Sequence, residues 1–156
     1  MKRLYLMRHG HSPTTMEAGV SKDALRPLSD AGREDARHMA AQLARMGCAP
    51  GLILHSPLLR AVQTAAELAS VLKPAGGREP FPALDNTKPA EEVEIALAAR
   101  GASVDEMLAV GHQPQIGEVA ALLAGTSFEF RPATIVALEL SPKPRVLWAM
   151  SPEPSR

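Results

Sequence analysis

The chain has 156 residues, with 17 Lys plus Arg balanced by 17 Asp plus Glu. At 46% apolar and 22% charged residues it has the make-up of one globular domain and not of a disordered segment. The neutral balance leaves no basic footprint for nucleic acid, and the single cysteine, Cys48, excludes an intrachain disulfide and a cysteine-rich zinc site. The longest apolar run, Val119 to Ala124, is too short to span a bilayer. The apolar stretch after Met1-Lys2-Arg3 stops at Arg8, too soon for a signal peptide. A cytoplasmic protein with no membrane segment is expected, with one domain over residues 1–150 and a C-terminal tail, frayed, over 151–156.

In chain order, Lys2 to Met7 reads as a short strand that stops at Arg8-His9-Gly10. Polar and turn residues run from Ser12 to Leu28. Ser29 is a good N-cap, and Ala36, Met39, Ala40 and Leu43 then recur at helical spacing until Gly47. Leu52-Ile53-Leu54 reads as a buried strand. Ser56-Pro57 predicts an N-cap followed by proline at the first helical position, with Leu58, Val62, Ala65, Ala66, Ala69 and Leu72 on one face. Lys73 to Pro82, with three prolines and Gly76-Gly77, reads as loop. A helix is predicted from about Pro89 to Arg100, and a strand over Met107–Val110 ends at Gly111-His112. From Pro114, a helix places Ile116, Val119, Ala120 and Leu123 in register until Gly125. Ala133–Leu140 and Val146–Met150 read as an antiparallel hairpin.

Alternating strands and helices imply an α/β three-layer sandwich with a mostly parallel central sheet plus an antiparallel C-terminal element. In such sheets ligands bind beyond the carboxyl ends of the strands. Reactive side chains gather there. Arg8 and His9 follow the first strand, Ser56 and Arg60 the second, and His112 the Met107–Val110 strand. Each histidine taken alone is more often a surface or satisfied structural residue than a reactive one. An arginine in the first turn of a helix opposes the positive end of the dipole, unless an anion binds beside it.

Four motifs, in order, carry a resemblance. Arg8-His9-Gly10 resembles the RHG signature of the histidine phosphatase (phosphoglycerate-mutase-like) superfamily. Arg26-Pro27-Leu28-Ser29 with Gly32 is similar to its R-P-L-[ST]-x-x-G segment. Ser56 to Thr64 is similar to S-P-x-x-R-A-x-Q-T, and Gly111-His112-Gln113-Pro114 to the second-histidine motif. The short chain, the G-H-x-P form and the late Met150-Ser151-Pro152 resemble the short bacterial SixA-type phosphohistidine phosphatases. The resemblance implies a phosphoglycerate-mutase-like fold and makes His9 the nucleophile, attacked phosphorus passing through a phosphohistidine enzyme to water.

Phosphoryl transfer chiefly needs positioning and charge stabilisation. Arg8, Arg26, Arg60 and a protonated His112 would form a cationic cage, with no cofactor or metal required. Ser56 is expected to orient, and Ser12 is a candidate phosphate contact. Gln113 stands where some relatives carry an acid. Asp85 is the candidate general acid and reads equally as a turn aspartate. A phosphoramidate leaving group is easily protonated, so a phosphohistidine substrate tolerates that departure. The expected substrate is a histidine-phosphorylated protein. The alternatives are a small-molecule phosphomonoesterase and a non-catalytic phosphate- or phosphoprotein-binding module.

Overall fold

The computed structural model describes residues 1–153; residues 154–156 of the predicted tail lie outside the described residues. The main elements are β1 (Arg3–Arg8), a one-turn α1 (Thr15–Ala18), α2 (Asp30–Arg45), β2 (Leu52–His55), α3 (Leu59–Leu72) and β3 (Arg78–Pro80). Then come α4 (Ala90–Arg100), β4 (Glu106–Gly111), α5 (Gln115–Ala124), β5 (Ile135–Glu139) and β6 (Arg145–Met150). The six strands form one sheet in the order β3-β2-β4-β1-β5-β6. The β3-β2, β2-β4 and β4-β1 pairs are parallel, and the β1-β5 and β5-β6 pairs are antiparallel.

Side-chain alternation along the strands divides the interior into two cores. Leu4, Leu6, Leu54, Met107, Ala109 and Val136 face α4 and α5, where Val93, Leu97, Ile116, Val119 and Ala120 cover them. Tyr5, Met7, Ile53, Leu108, Val110 and Ile135 face α2 and α3, where Met39, Ala40, Leu43, Ala61, Ala65 and Leu68 complete the packing. The central strands are buried on both faces, which is why they read as unbroken apolar runs. Both helical layers and the parallel sheet with its antiparallel hairpin match the expected architecture.

Four local expectations need correction. Residues 78–80 are not loop: Arg78–Pro80 pairs with Ile53–His55 as β3, an edge strand too short and too proline-rich to show periodicity. Ser56 is not the N-cap of α3. That helix begins at Leu59, and Ser56 Oγ accepts the Leu58 amide at 3.1 Å while meeting His112 on its other side. The buried face of α3 is Arg60, Ala61, Thr64, Ala65 and Leu68, rotated from the predicted stripe because the site and the RHG loop occupy it. Finally, Ser151 does not fray: its hydroxyl lies 2.6 Å from that of Thr134. The predicted capping of α2 by Ser29 is present, its hydroxyl accepting the Gly32 amide at 3.0 Å.

Candidate active site

At the carboxyl ends of β1 and β4, His9 and His112 face one another with ring centroids 5.0 Å apart and planes tilted by 58°. His9 is 8% exposed, Arg60 7% and His112 2%, so the cluster is walled by protein and touched by solvent only at its mouth. Arg60 and Arg8 lie within electrostatic reach of both rings.

The His9 ring is oriented by its own loop. Nδ1 lies 2.7 Å from the Gly10 carbonyl, which can only accept, so Nδ1 carries the proton and Nε2 keeps its lone pair. Burial, with His112 and the two arginines adding repulsion, pushes the imidazole down to about 3. At pH 7 His9 is therefore a neutral imidazole with a free Nε2, the form a nucleophile requires.

His112 departs from the expected imidazolium. Burial first, then Arg60, lowers it to about 4, against opposing pulls from Asp23 and Asp85. It is neutral at pH 7 in this environment, and an anion brought against the ring favours its taking a proton back. Its Nε2 sits 2.7 Å from Ser56 Oγ, and its Nδ1 is buried without a partner. Four buried side-chain polar atoms lack a hydrogen-bond partner among the described residues: Arg8 Nε, Arg60 Nε, His112 Nδ1 and Gln115 Oε1. Three of the four belong to this cluster. Leaving one such group unpaired costs about 1–3 kcal/mol, so three together mark a place built for acceptor oxygens.

Arg26 and Ser12 serve the loop. Arg26 donates to the carbonyls of Pro13 at 2.8 Å and Ser12 at 3.2 Å and to Asp23 Oδ1 at 3.0 Å. The Ser12 hydroxyl donates to the Pro27 carbonyl at 2.6 Å. Both hold the 12–28 segment together, and Arg26 reaches the cluster through Asp23. Asp85 closes a turn by accepting the Thr87 amide at 3.0 Å, with its charge acting on His112 from a distance.

Sequence reasoning did not anticipate how the cluster is braced. Thr64 Oγ1 accepts the Gly10 amide at 3.1 Å and donates to the Arg60 carbonyl at 2.8 Å. Gln63 Oε1 accepts the Leu28 amide at 2.8 Å, pinning the Arg26-Pro27-Leu28 segment to α3. Both residues lie in the Ser56–Thr64 motif, at i+3 and i+4 from Arg60, and it was their bracing role that the sequence did not reveal. Gly10 and Gly32 touch backbone to backbone: a Cβ on Gly32 would sit 2.3 Å from the His11 carbonyl oxygen, and one on Gly10 would sit 2.8 Å from that of Gly32. Asp23 was also missed; nothing but its position three residues before Arg26 announces it. His11 and His38 are exposed. His55 is buried, with its Nδ1 2.9 Å from the Ser56 carbonyl.

Among the described residues, no group of three or more His, Cys, Asp or Glu could hold a metal ion, and no helix is long and apolar enough to cross a membrane.

Comparison with known proteins places this geometry. Residues 4–80 match the model of the histidine phosphatase superfamily (branch 1), a span holding Arg8, His9, Arg26 and Arg60. An uncharacterised protein of Picosynechococcus sp. is 32% identical over 151 residues, covering 86% of this chain and 83% of that one. Phosphohistidine phosphatase SixA of Escherichia coli is 30% identical over 158 residues, covering 96% of this chain and 94% of the relative. A solved structure of the protein histidine phosphatase SixA with tungstate superposes with a TM-score of 0.86 at 28% identity, covering 96% of this chain and 97% of that one. Near-complete coverage on both sides, with the paired histidines and arginines where the motifs put them, makes this chain a SixA-type member of the histidine phosphatase superfamily.

Proposed function

We propose that the protein is a metal-independent phosphatase that removes phosphate from phosphohistidine in proteins. The observation that carries this reading is the set of unpartnered buried nitrogens on Arg8, Arg60 and His112 around a neutral His9 with its Nε2 free. His9 Nε2 attacks phosphorus, the bond from phosphorus to the substrate imidazole breaks, and the leaving nitrogen takes a proton from solvent water. Water then hydrolyses the phosphorylated His9, releasing phosphate and restoring the imidazole. Arg8, Arg60 and His112 stabilise the charge on the equatorial oxygens, and the bound dianion favours the charged form of His112, which takes its proton from solvent. Ser56 holds His112 Nε2, so that Nδ1 is the nitrogen left for the phosphate.

The substrate class follows from two features. No carboxylate occupies the position after His112, where Gln113 instead caps α5 by accepting the Gly117 amide at 2.9 Å. An imidazole leaving group takes up its proton without a strong dedicated acid, whereas an alkoxide needs one. The 12–28 segment beside the site is braced internally, and a phosphorylated side chain standing out from a protein surface is the substrate form proposed to reach the cluster. A cytoplasmic location suits such a partner.

The test is a side-by-side rate comparison of a histidine-phosphorylated protein, p-nitrophenyl phosphate and a panel of phosphometabolites. The phosphohistidine protein is expected to show the highest kcat/KM, with labelled phosphate trapped on His9 in an acid-labile, base-stable linkage. A single metabolite hydrolysed far faster than any phosphohistidine protein would move the assignment to a small-molecule phosphatase.

A further inference from the structure

We infer that Asp23 is a positioning residue for Arg60, locking the guanidinium that meets the phosphate to the Arg26 segment through one carboxylate. The inference deepens the reading above, since it concerns the same site.

Arg60 is rooted in the first turn of α3, but its tip is held by another part of the chain. One terminal nitrogen, Nη1, donates to the Asp23 backbone carbonyl at 2.9 Å, and the other, Nη2, to Asp23 Oδ2 at 3.0 Å. The second carboxylate oxygen, Oδ1, accepts from Arg26 Nη1 at 3.0 Å. Arg26 is itself tied to the Ser12 and Pro13 carbonyls. A continuous path thus runs from the loop after the nucleophile to the tip of Arg60.

Surface ion pairs are ordinarily weak, and the Asp23 side chain is 60% exposed. The Arg60 side chain, at 9%, is not. Its orientation matters because its remaining Nε–H is buried and unpartnered. With both ends of the planar fork held by one residue, rotation about Nε–Cζ is blocked and the direction of Nε–H is set. Hydrogen bonds from Arg26, and then from Arg60, hold the Asp23 carboxyl below its usual range, so it is ionised at neutral pH.

A carboxylate that merely competed with phosphate for Arg60 would hold it by the side chain alone. Here the backbone carbonyl of the same residue also holds it, so the carboxylate and the main chain grip the two terminal nitrogens together. A negative charge beside an arriving dianion lowers ground-state affinity. The arrangement therefore exchanges affinity for orientation, and this predicts opposite effects on binding and turnover.

The experiment uses the full chain with Asp23→Ala and Asp23→Asn. Arginine side-chain NMR is expected to resolve separate Nη1 and Nη2 signals for Arg60 in the parent and to average them in Asp23→Ala. On p-nitrophenyl phosphate and on a histidine-phosphorylated protein, kcat should fall by about tenfold to a hundredfold in Asp23→Ala. Inorganic phosphate should bind the variant as tightly as the parent, or more tightly, by titration calorimetry. Asp23→Asn keeps a carbonyl for Arg60 and should recover part of the rate. Unchanged kcat, or Nη signals that stay resolved in Asp23→Ala, overturns the inference. A loss of kcat matched by an equal loss of phosphate affinity overturns it too, since that is collapse of the pocket. If the parent turns over neither substrate, the phosphatase reading fails, while the NMR comparison still decides whether Asp23 positions Arg60.

Discussion

Two facing imidazoles held neutral by burial make the folded state sensitive to acid. An unfolded chain takes up a proton on each histidine near the ordinary value of about 6.5. The folded chain resists until about 4 at His112 and about 3 at His9. Because both folded values are depressed, stability is complete above about pH 6.5 and is lost as the pH falls towards them. Between pH 7.5 and 5 each ring therefore removes roughly 2 kcal/mol, and the pair roughly 4 kcal/mol, from a total that for such domains is about 5–15 kcal/mol. Urea unfolding at steps from pH 7.5 to 5, on the parent and on His9→Asn with His112→Asn, measures this directly. The buried His55 and other groups act in both chains, so the difference in slope isolates the two rings. Sulfate, dianionic throughout this range, should stabilise the parent more at pH 5 than at pH 7, because it favours a protonated His112. Parallel stability curves for parent and double variant would refute the claim that burial of neutral rings at the site is what disfavours their protonation.

Three further outcomes are expected. Turnover should persist in EDTA with the rate unchanged; loss on chelation, restored by zinc or magnesium, would contradict the metal-independent mechanism. Gly32→Ala should cost about 1–3 kcal/mol or more in urea unfolding, and lower kcat with it, because the new methyl meets the His11 carbonyl at 2.3 Å and backbone cannot yield cheaply. Ser56→Ala should destabilise by about 1–3 kcal/mol, since it strips partners from the Leu58 amide and His112 Nε2, and should depress kcat more than it raises KM.

The sheet and its helices were legible because β1, β2 and β4 are buried on both faces and therefore apolar throughout, while α2 and α5 carry clean 3.6-residue patterns. His9, Arg60 and His112 were legible because carboxyl strand ends are where an α/β sheet places ligands. The helix α3 misled. Its buried side includes Arg60 and Thr64, polar residues that a hydrophobic stripe cannot reveal, so the predicted face was turned. β3 was hidden for a different reason: three residues ending in proline have no period to read. The charge of His112 lay beyond sequence as well, since it depends on burial and on the distance to Arg60. Asp23 has no signature of its own, because its role arises only when a turn far from α3 folds back onto the tip of Arg60.

The same three-residue strand that escaped detection has a use at the rim of the sheet. An outermost strand offers unpaired amides and carbonyls on which any passing extended peptide can assemble. Ending β3 at Pro80 removes a donor from that margin. At the far margin β6 carries a register shift opposite Ala137 and Leu138, which interrupts the straight ladder a newcomer would need. With both flanks made poor templates for strand addition, a sheet whose central strands are almost wholly aliphatic is guarded against growing sideways into aggregates.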